Sequence, residues 1–162
     1  MSNDCIVINS SPLITLCKSK QEELLPQLFN SIIVPTAVWQ EITTSPHYDF
    51  AAAKLPALSW TTRENSIVVP SLIQAWDLGA GESEVLAYAF ANPEYVAVLD
   101  DTAARRCARS LNITSIGTVG LFILAKRRQI VAEVMPSIEK LREAGLWLSD
   151  ELVEIVRQQA GE

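Results

Sequence analysis

Five short apolar segments, rich in β-branched residues, alternate along the chain with longer segments of helical periodicity. Each short segment has the length and composition of a strand that is buried on both faces. These predicted strands are Cys5–Asn9, Ile32–Val34, Ile67–Val69, Val96–Leu99 and Ile113–Ile116. The alternation predicts a three-layer α/β sandwich, with a central parallel sheet of four to five strands and helices on both faces.

Capping residues mark where the intervening helices begin. Ser11 followed by Pro12 is typical of an N-cap and a first helical position. Gly79 and Gly81 are expected to form a turn, with a helix from Glu82 onward. Further helices are predicted to begin near Gln21, Thr36, Ala51, Asp101, Thr118, Val134 and Ser149.

Length and composition are those of one globular domain, here expected to span residues 1–162. No basic and apolar leader precedes the first predicted strand, and apolar runs stay well below the roughly 20 residues of a membrane helix. Three cysteines, Cys5, Cys17 and Cys107, have no metal-type spacing and are expected to be reduced. We therefore expect a cytoplasmic protein without a membrane partner.

Charge and histidine content narrow the classes of function. The net charge of −6 argues against a generic nucleic-acid coat protein, although six of the thirteen lysines and arginines lie between Arg105 and Arg128. His47 is the one histidine in the sequence. A multi-histidine zinc site is therefore excluded, and a Ser-His-Asp triad is disfavoured.

The acidic side chains fall at one type of position, namely where a predicted strand ends or the following helix begins. In a parallel sheet these positions share one edge, which is where ligands bind. The polar and acidic residues concerned are Asn9, Ser10, Glu41, Glu82, Glu84, Asp100 and Asp101.

Carboxylates crowded at one edge repel one another, and a divalent cation would relieve that repulsion. Oxygen ligands without a nearby histidine or cysteine suit Mg²⁺ or Mn²⁺. Such cations commonly neutralise phosphoryl oxygens and activate an attacking water. The pattern indicates hydrolysis of a phosphodiester bond.

Each acid also has a purely structural explanation. Asp100 or Asp101 can be a helix N-cap, and Glu82 and Glu84 can complement the positive end of a helix. Glu41 alone is typical of a solvated helix surface. The joint pattern is more specific than any one of its members.

In the order of its motifs the sequence resembles the PIN-domain family of small metal-dependent ribonucleases, most closely the prokaryotic toxin–antitoxin branch. The resemblance covers nearly the whole chain. The motifs are INSSPLI (Ile8–Ile14), IIVPTAVWQEI (Ile32–Ile42), LGAGESEVLAYA (Leu78–Ala89), VLDDTAARRCA (Val98–Ala108), IGTVGLFILAKRR (Ile116–Arg128) and LREAGLWLSDEL (Leu141–Leu152).

The resemblance implies a Mg²⁺ or Mn²⁺ site, in which Asp101 fits the family's final acid slightly better than Asp100. It also implies a polar position at Thr118, and Arg105 and Arg106 could face RNA phosphates. The resemblance also implies that RNA is the substrate and that a small antitoxin from the same operon is a partner. Self-association into a homodimer is common in the family. The implied metal ligands are Asn9, Glu41, Glu82, Asp100 and Asp101, of which the four acids are the implied catalytic residues.

The chain departs from this family at its first acid, which is usually Asp and is here Asn9. An asparagine oxygen can ligate a hard cation, but it brings no charge. Glu84 or Asp100 could compensate. The alternative hypothesis is therefore a catalytically weakened PIN-fold module that binds nucleic acid or another partner.

A phosphorylated receiver-type switch also contains adjacent aspartates. In that class, however, the acidic pair ends the first strand and a lysine follows the last. Here Asn9 and Ser10 end the first strand, and Gly117 and Thr118 occupy the later position, so this class is disfavoured.

Overall fold

A computed structural model of the protein, which describes residues 4–45 and 49–162, contains one parallel sheet. Its strand order is β3-β2-β1-β4-β5, and every neighbouring pair is parallel. The strands are β1 Cys5–Ile8, β2 Ser31–Pro35, β3 Thr61–Glu64, β4 Tyr95–Val98 and β5 Ser115–Ile116. The predicted α/β sandwich with a parallel sheet is confirmed. His47 lies outside the described residues.

Helices cover both faces of the sheet. They are α1 Ser10–Lys18, α2 Leu24–Leu28, α3 Thr36–Thr44, α4 Asp49–Lys54, α5 Ser71–Gln74, α6 Ala80–Ala91, α7 Thr102–Ser110, α8 Thr118–Arg127, α9 Met135–Glu143 and α10 Asp150–Ala160. Of these, α3 begins directly after a strand, whereas α1, α7 and α8 follow their strands after a short connection. A short 3₁₀ turn spans Leu55–Ala57.

The central strands are apolar because helices exclude water from both of their faces. Ile6, Val7 and Ile8 of β1 are fully buried, and so are Ala97 and Val98 of β4. Among the described residues, no helix is long and apolar enough to cross a membrane.

The prediction of a strand at Ile67–Val69 is wrong. The third strand is β3, which lies at the edge of the sheet and pairs with β2. An edge strand has partly exposed side chains and therefore does not require a run of apolar residues. The sequence of β3, TTRE, accordingly lacks the pattern of a buried strand. Residues 67–69 follow as irregular chain, and Val68 is 84% exposed.

Several helices begin at positions that differ slightly from the prediction. The first helix begins at Ser10 with Asn9 as its N-cap, so Pro12 is its third residue. Proline is tolerated there because the first-turn N–H groups have no partner within the helix. Gly81 lies inside α6 and not in a turn. Ser149 is an N-cap as expected, since its hydroxyl accepts from the Leu152 N–H.

The three cysteines are free, as predicted, and two of them are buried. Burial raises the pKa of Cys17 to about 11, with a smaller contribution from the negative charge of Glu22. Burial also raises the pKa of Cys107. These two thiols are therefore protonated at neutral pH and poorly reactive.

A carboxylate joins the last helix to the rest of the domain. Glu162 accepts from the Val134 N–H (2.7 Å) and the Met135 N–H (3.1 Å) at the start of α9. It also pairs with Lys126 Nζ of α8 at 2.9 Å. The Val134 hydrogen bond, together with those from Lys126 and Met135, lowers the pKa of Glu162 to about 2.

Glu162→Gln should lower the free energy of unfolding by about 1 kcal/mol at pH 7, because it removes a charged acceptor at a helix start. Since the folded pKa lies below the unfolded one, this stabilisation is present above the unfolded pKa and is lost as the pH falls through the folded pKa of about 2. Urea unfolding between pH 7 and pH 2 measures both effects. The control Glu154→Gln removes an exposed pair with Arg157 within α10 and should change stability by less than about 0.5 kcal/mol. Equal effects of the two variants would contradict the interpretation.

Candidate active site

The parallel pairing of β1 with β4 places two chain segments side by side at the carboxyl edge of the sheet. Ile8 is in register with Val98, and the Asn9 N–H donates to the Val98 carbonyl at 3.1 Å. Asn9 and the Asp100–Asp101 pair therefore leave neighbouring strands at the same level.

Glu41 joins this edge from α3. Its Oε2 accepts from the Ser10 hydroxyl at 2.6 Å, and its Oε1 accepts from the Gly81 N–H at 2.9 Å. One carboxylate thus connects the starts of α1 and α6 with the middle of α3. The two hydrogen bonds fix its orientation.

Glu82, in the first turn of α6, lies within the electrostatic reach of three of these side chains. Burial raises its pKa most, and the negative charges of Asp101 and Glu41 raise it further. Hydrogen bonds from the Gly79 N–H and the Asn9 side chain partly offset this rise. The raised pKa means that negative charge at Glu82 is incompletely compensated by its surroundings.

Asn9 is 3% exposed, and its side chain hydrogen-bonds Glu82. Its Oδ1 lies 3.5 Å from the Ser10 hydroxyl. An aspartate here would add a negative charge beside Glu82, whereas the asparagine amide donates a hydrogen bond to it. Asn9 therefore attracts Glu82, whereas the aspartate that is usual in the resembled family would repel it.

The two adjacent aspartates have different surroundings. Asp101 is the exposed N-cap of α7 and accepts from the Ala104 N–H at 2.9 Å, while its charge acts on Glu82. Asp100 accepts from the Thr118 N–H (2.8 Å) and hydroxyl (2.6 Å) at the start of α8. Asp101 therefore belongs with Asn9, Glu41 and Glu82 in an acidic cluster, and Asp100 connects β4 to α8.

The other predicted side chains lie around this cluster. Glu84 accepts from the Ala37 N–H at 3.0 Å and thereby joins α6 to α3. Thr118 is fully buried against Asp100. Arg105 and Arg106 are exposed on α7.

A surface cleft of about 620 Å³ begins at Asp100 and Arg105 and follows α8 and α10. Trp147, which is 83% exposed, lies along its wall with several apolar side chains of α10. The cleft provides a concave surface that begins at Asp100, the neighbour of Asp101 in the sequence.

The chemistry of the donor atoms suits a hard divalent cation. Every side chain of the cluster offers oxygen, and the pKa of Glu82 is raised by its acidic neighbours, a repulsion that a cation would relieve. Within residues 4–45 and 49–162, however, no three His, Cys, Asp or Glu side chains are close enough together to form a metal-binding group. Protein donors hold Glu41 and Asp101, as described above.

The sequence alone does not reveal the part that Gly81 takes in this site. Its one signal is a glycine inside a segment that otherwise favours a helix, which equally suits the predicted turn. Its contact with Glu41 joins residues 40 positions apart, so no local pattern could have indicated it.

Comparison with known proteins gives one family match. The family model DUF3368, described as a PIN domain, matches residues 5–162. No curated protein and no solved structure matches the chain.

Asp101→Asn should lower the pKa of Glu82, because it removes a negative charge that raises this pKa. Asparagine is also a good N-cap, so α7 should stay intact. NMR titration of the Glu82 side-chain carbon measures the shift without metal. The matched variant Asp100→Asn, which removes a charge bound to Thr118, should move the pKa of Glu82 less. The opposite order would contradict the assignment of Asp101 to the cluster.

Proposed function

The chain belongs to the PIN-domain family, whose members are generally nucleases, and from this premise we propose that it is a Mg²⁺- or Mn²⁺-dependent endoribonuclease. The observation that carries the proposal is the clustering of Glu41, Glu82 and Asp101 around the buried Asn9. Glu41 from the middle of α3, Glu82 from the first turn of α6 and Asp101 at the N-cap of α7 lie at the carboxyl edge of a parallel sheet, where acids are suited to hydrolysing a phosphodiester bond.

The proposed division of roles follows from the contacts. Glu41, Glu82 and Asp101 would hold the cation with their carboxylates, and Asn9 would contribute a neutral oxygen. When bound, Mg²⁺ or Mn²⁺ supplies neutralisation of phosphoryl oxygens and lowers the pKa of a water molecule. Ser10 orients Glu41 through its hydroxyl. Asp100 and Thr118 hold the end of β4 in place beside Asp101.

The basic face of α7 would bind the RNA backbone. Arg105 and Arg106 are exposed, and Arg105 borders the cleft that begins at Asp100. Arginine contacts to phosphate position a strand without reading its sequence. Any preference for a sequence would have to come from other contacts, for which the cleft wall is available.

The finer proposal is that this nuclease is the toxin of a type II toxin–antitoxin pair. It rests on the resemblance of the motifs to that branch. A small antitoxin from the same operon would then be its partner, and self-association into a homodimer would be in keeping with the family. A neighbouring gene for a small antitoxin, whose product abolishes cleavage when co-purified, would support this proposal. If there is no such gene, the proposal of a toxin role fails and the proposal of a nuclease is unaffected.

One observation favours a second candidate function, a PIN-fold module that binds RNA but cleaves it weakly or not at all. Asn9 supplies a hydrogen bond where an aspartate would supply charge, so the cluster has one anionic ligand fewer. Such a module would keep the basic face of α7 and lose cation affinity.

Glu41→Gln and Asp101→Asn should each reduce Mg²⁺- or Mn²⁺-dependent cleavage of RNA by at least about 100-fold, because each removes a charged oxygen from the proposed cation site. Cleavage of single-stranded and structured RNA with and without the metal measures this. The control Glu154→Gln, on the exposed face of α10, should cleave as the parent chain does. If the parent chain cleaves neither RNA, the enzymatic proposal is wrong, and if both variants cleave normally, the proposed cation site is wrong.

Asn9→Asp should tighten Mn²⁺ binding by about tenfold or more, because it adds an anionic ligand to the cluster. It should also raise the pKa of Glu82, since a hydrogen bond is replaced by a like charge. Calorimetric titration with Mn²⁺ separates the two candidate functions. If the parent chain does not bind Mn²⁺ at millimolar concentration, whereas Asn9→Asp binds Mn²⁺ and cleaves RNA, the parent chain is the weakened module.

A further inference from the structure

Gly81 has no conformational reason to be glycine. It is the second residue of α6, and its backbone is not among the glycines with positive φ, which in the described residues are Gly145 and Gly161. Any residue could adopt this conformation, and glycine is the poorest helix former after proline. Its presence therefore calls for an explanation outside the helix.

The space beside Gly81 provides that explanation. A Cβ atom at this position would lie 2.7 Å from Glu41 Oε1, 2.8 Å from Oε2 and 3.0 Å from Cδ. The Glu41 carboxylate thus occupies the volume that any side chain at position 81 would need. The same approach lets the Gly81 N–H donate to Oε1 at 2.9 Å.

We propose that Gly81 is a positioning residue, which holds the Glu41 carboxylate between its own N–H and the Ser10 hydroxyl, in the orientation needed to bind a divalent cation with Glu82 and Asp101. The inference deepens the proposed function and rests on it for the identity of the ligand. Gly81 touches neither the cation nor the substrate, and acts through Glu41.

The contacts also determine how a substitution at position 81 would act. The atoms that a new Cβ would meet are the far end of a flexible side chain and not backbone. Alanine would therefore push the Glu41 carboxylate away, and both of its hydrogen bonds would be lost. The fold would persist, because alanine favours the helix. A change that improves the helix would then impair the site, as is typical of functional positions.

The nearby Gly79 offers a matched control. A Cβ there would lie 3.6 Å from Glu82 Oε2, which is ordinary van der Waals contact. Gly79 is the N-cap of α6, where alanine is less favourable than glycine. The two glycines are therefore expected to respond in opposite ways to the same substitution.

The first experiment measures Mn²⁺ affinity by calorimetry and thermal unfolding by circular dichroism. Gly81→Ala should weaken Mn²⁺ binding by about 10- to 100-fold and leave Tm within about 3 °C of the parent or above it. Gly79→Ala should have the lower Tm, and the control Glu154→Gln, on the exposed face of α10, should bind Mn²⁺ as the parent does. A Gly81→Ala chain that binds Mn²⁺ normally, or one that fails to fold, overturns the proposal.

A second experiment needs no metal and tests the contact itself. In a Glu41→Ala background the carboxylate is gone, so adding Gly81→Ala should raise Tm more than it does in the parent chain. Equal changes of Tm in the two backgrounds overturn the proposal. A larger rise in the Glu41→Ala background supports it even if the parent chain binds no Mn²⁺, in which case the proposed function fails and the positioning of Glu41 by Gly81 stands, whereas a smaller rise in that background also overturns it.

Discussion

The parallel pairing of β1 with β4 is the constraint on which the whole site depends. Parallel strands end at the same edge, and each is followed by a helix that begins at that edge. The register of Ile8 with Val98 therefore fixes the distance between Asn9 and the aspartate pair before any side chain is considered. The helices α3 and α6, packed against each other and against the sheet, bring Glu41 and Glu82 to the same place.

The same acids also stabilise the fold, because helix starts carry N–H groups that have no partner within the helix. Carboxylates accept from these groups at the beginnings of α3, α6, α7 and α8. Structural capping and a cation site are therefore not competing explanations of these residues. Glu84 and Asp100 are used mainly for capping, whereas Asp101 combines capping with an electrostatic effect on Glu82.

Asn9 determines the electrostatics of the cluster through its contact with Glu82. Its buried amide gives Glu82 a hydrogen bond, while Asp101 and Glu41 still raise the pKa of Glu82. The cluster thus keeps the repulsion that a cation would relieve, but has a smaller total charge with which to attract one. The affinity of the cluster for a cation decides between catalysis and binding alone, and comparison of the parent chain with Asn9→Asp tests it directly.

The sequence by itself determined the fold class and the edge of the sheet at which the candidate site lies. Buried strands and capped helices have local patterns of apolar and polar residues, so β1, β2, β4 and the start of α10 were predictable. The edge strand β3 was not, because one-sided exposure removes the apolar run on which the prediction relied. Only the tertiary structure showed that Asp101 and Asp100 accept from different helices and that Glu84 of α6 accepts from the start of α3. It alone showed that Gly81 makes room for Glu41, since this contact joins distant parts of the chain and depends on how two helices pack.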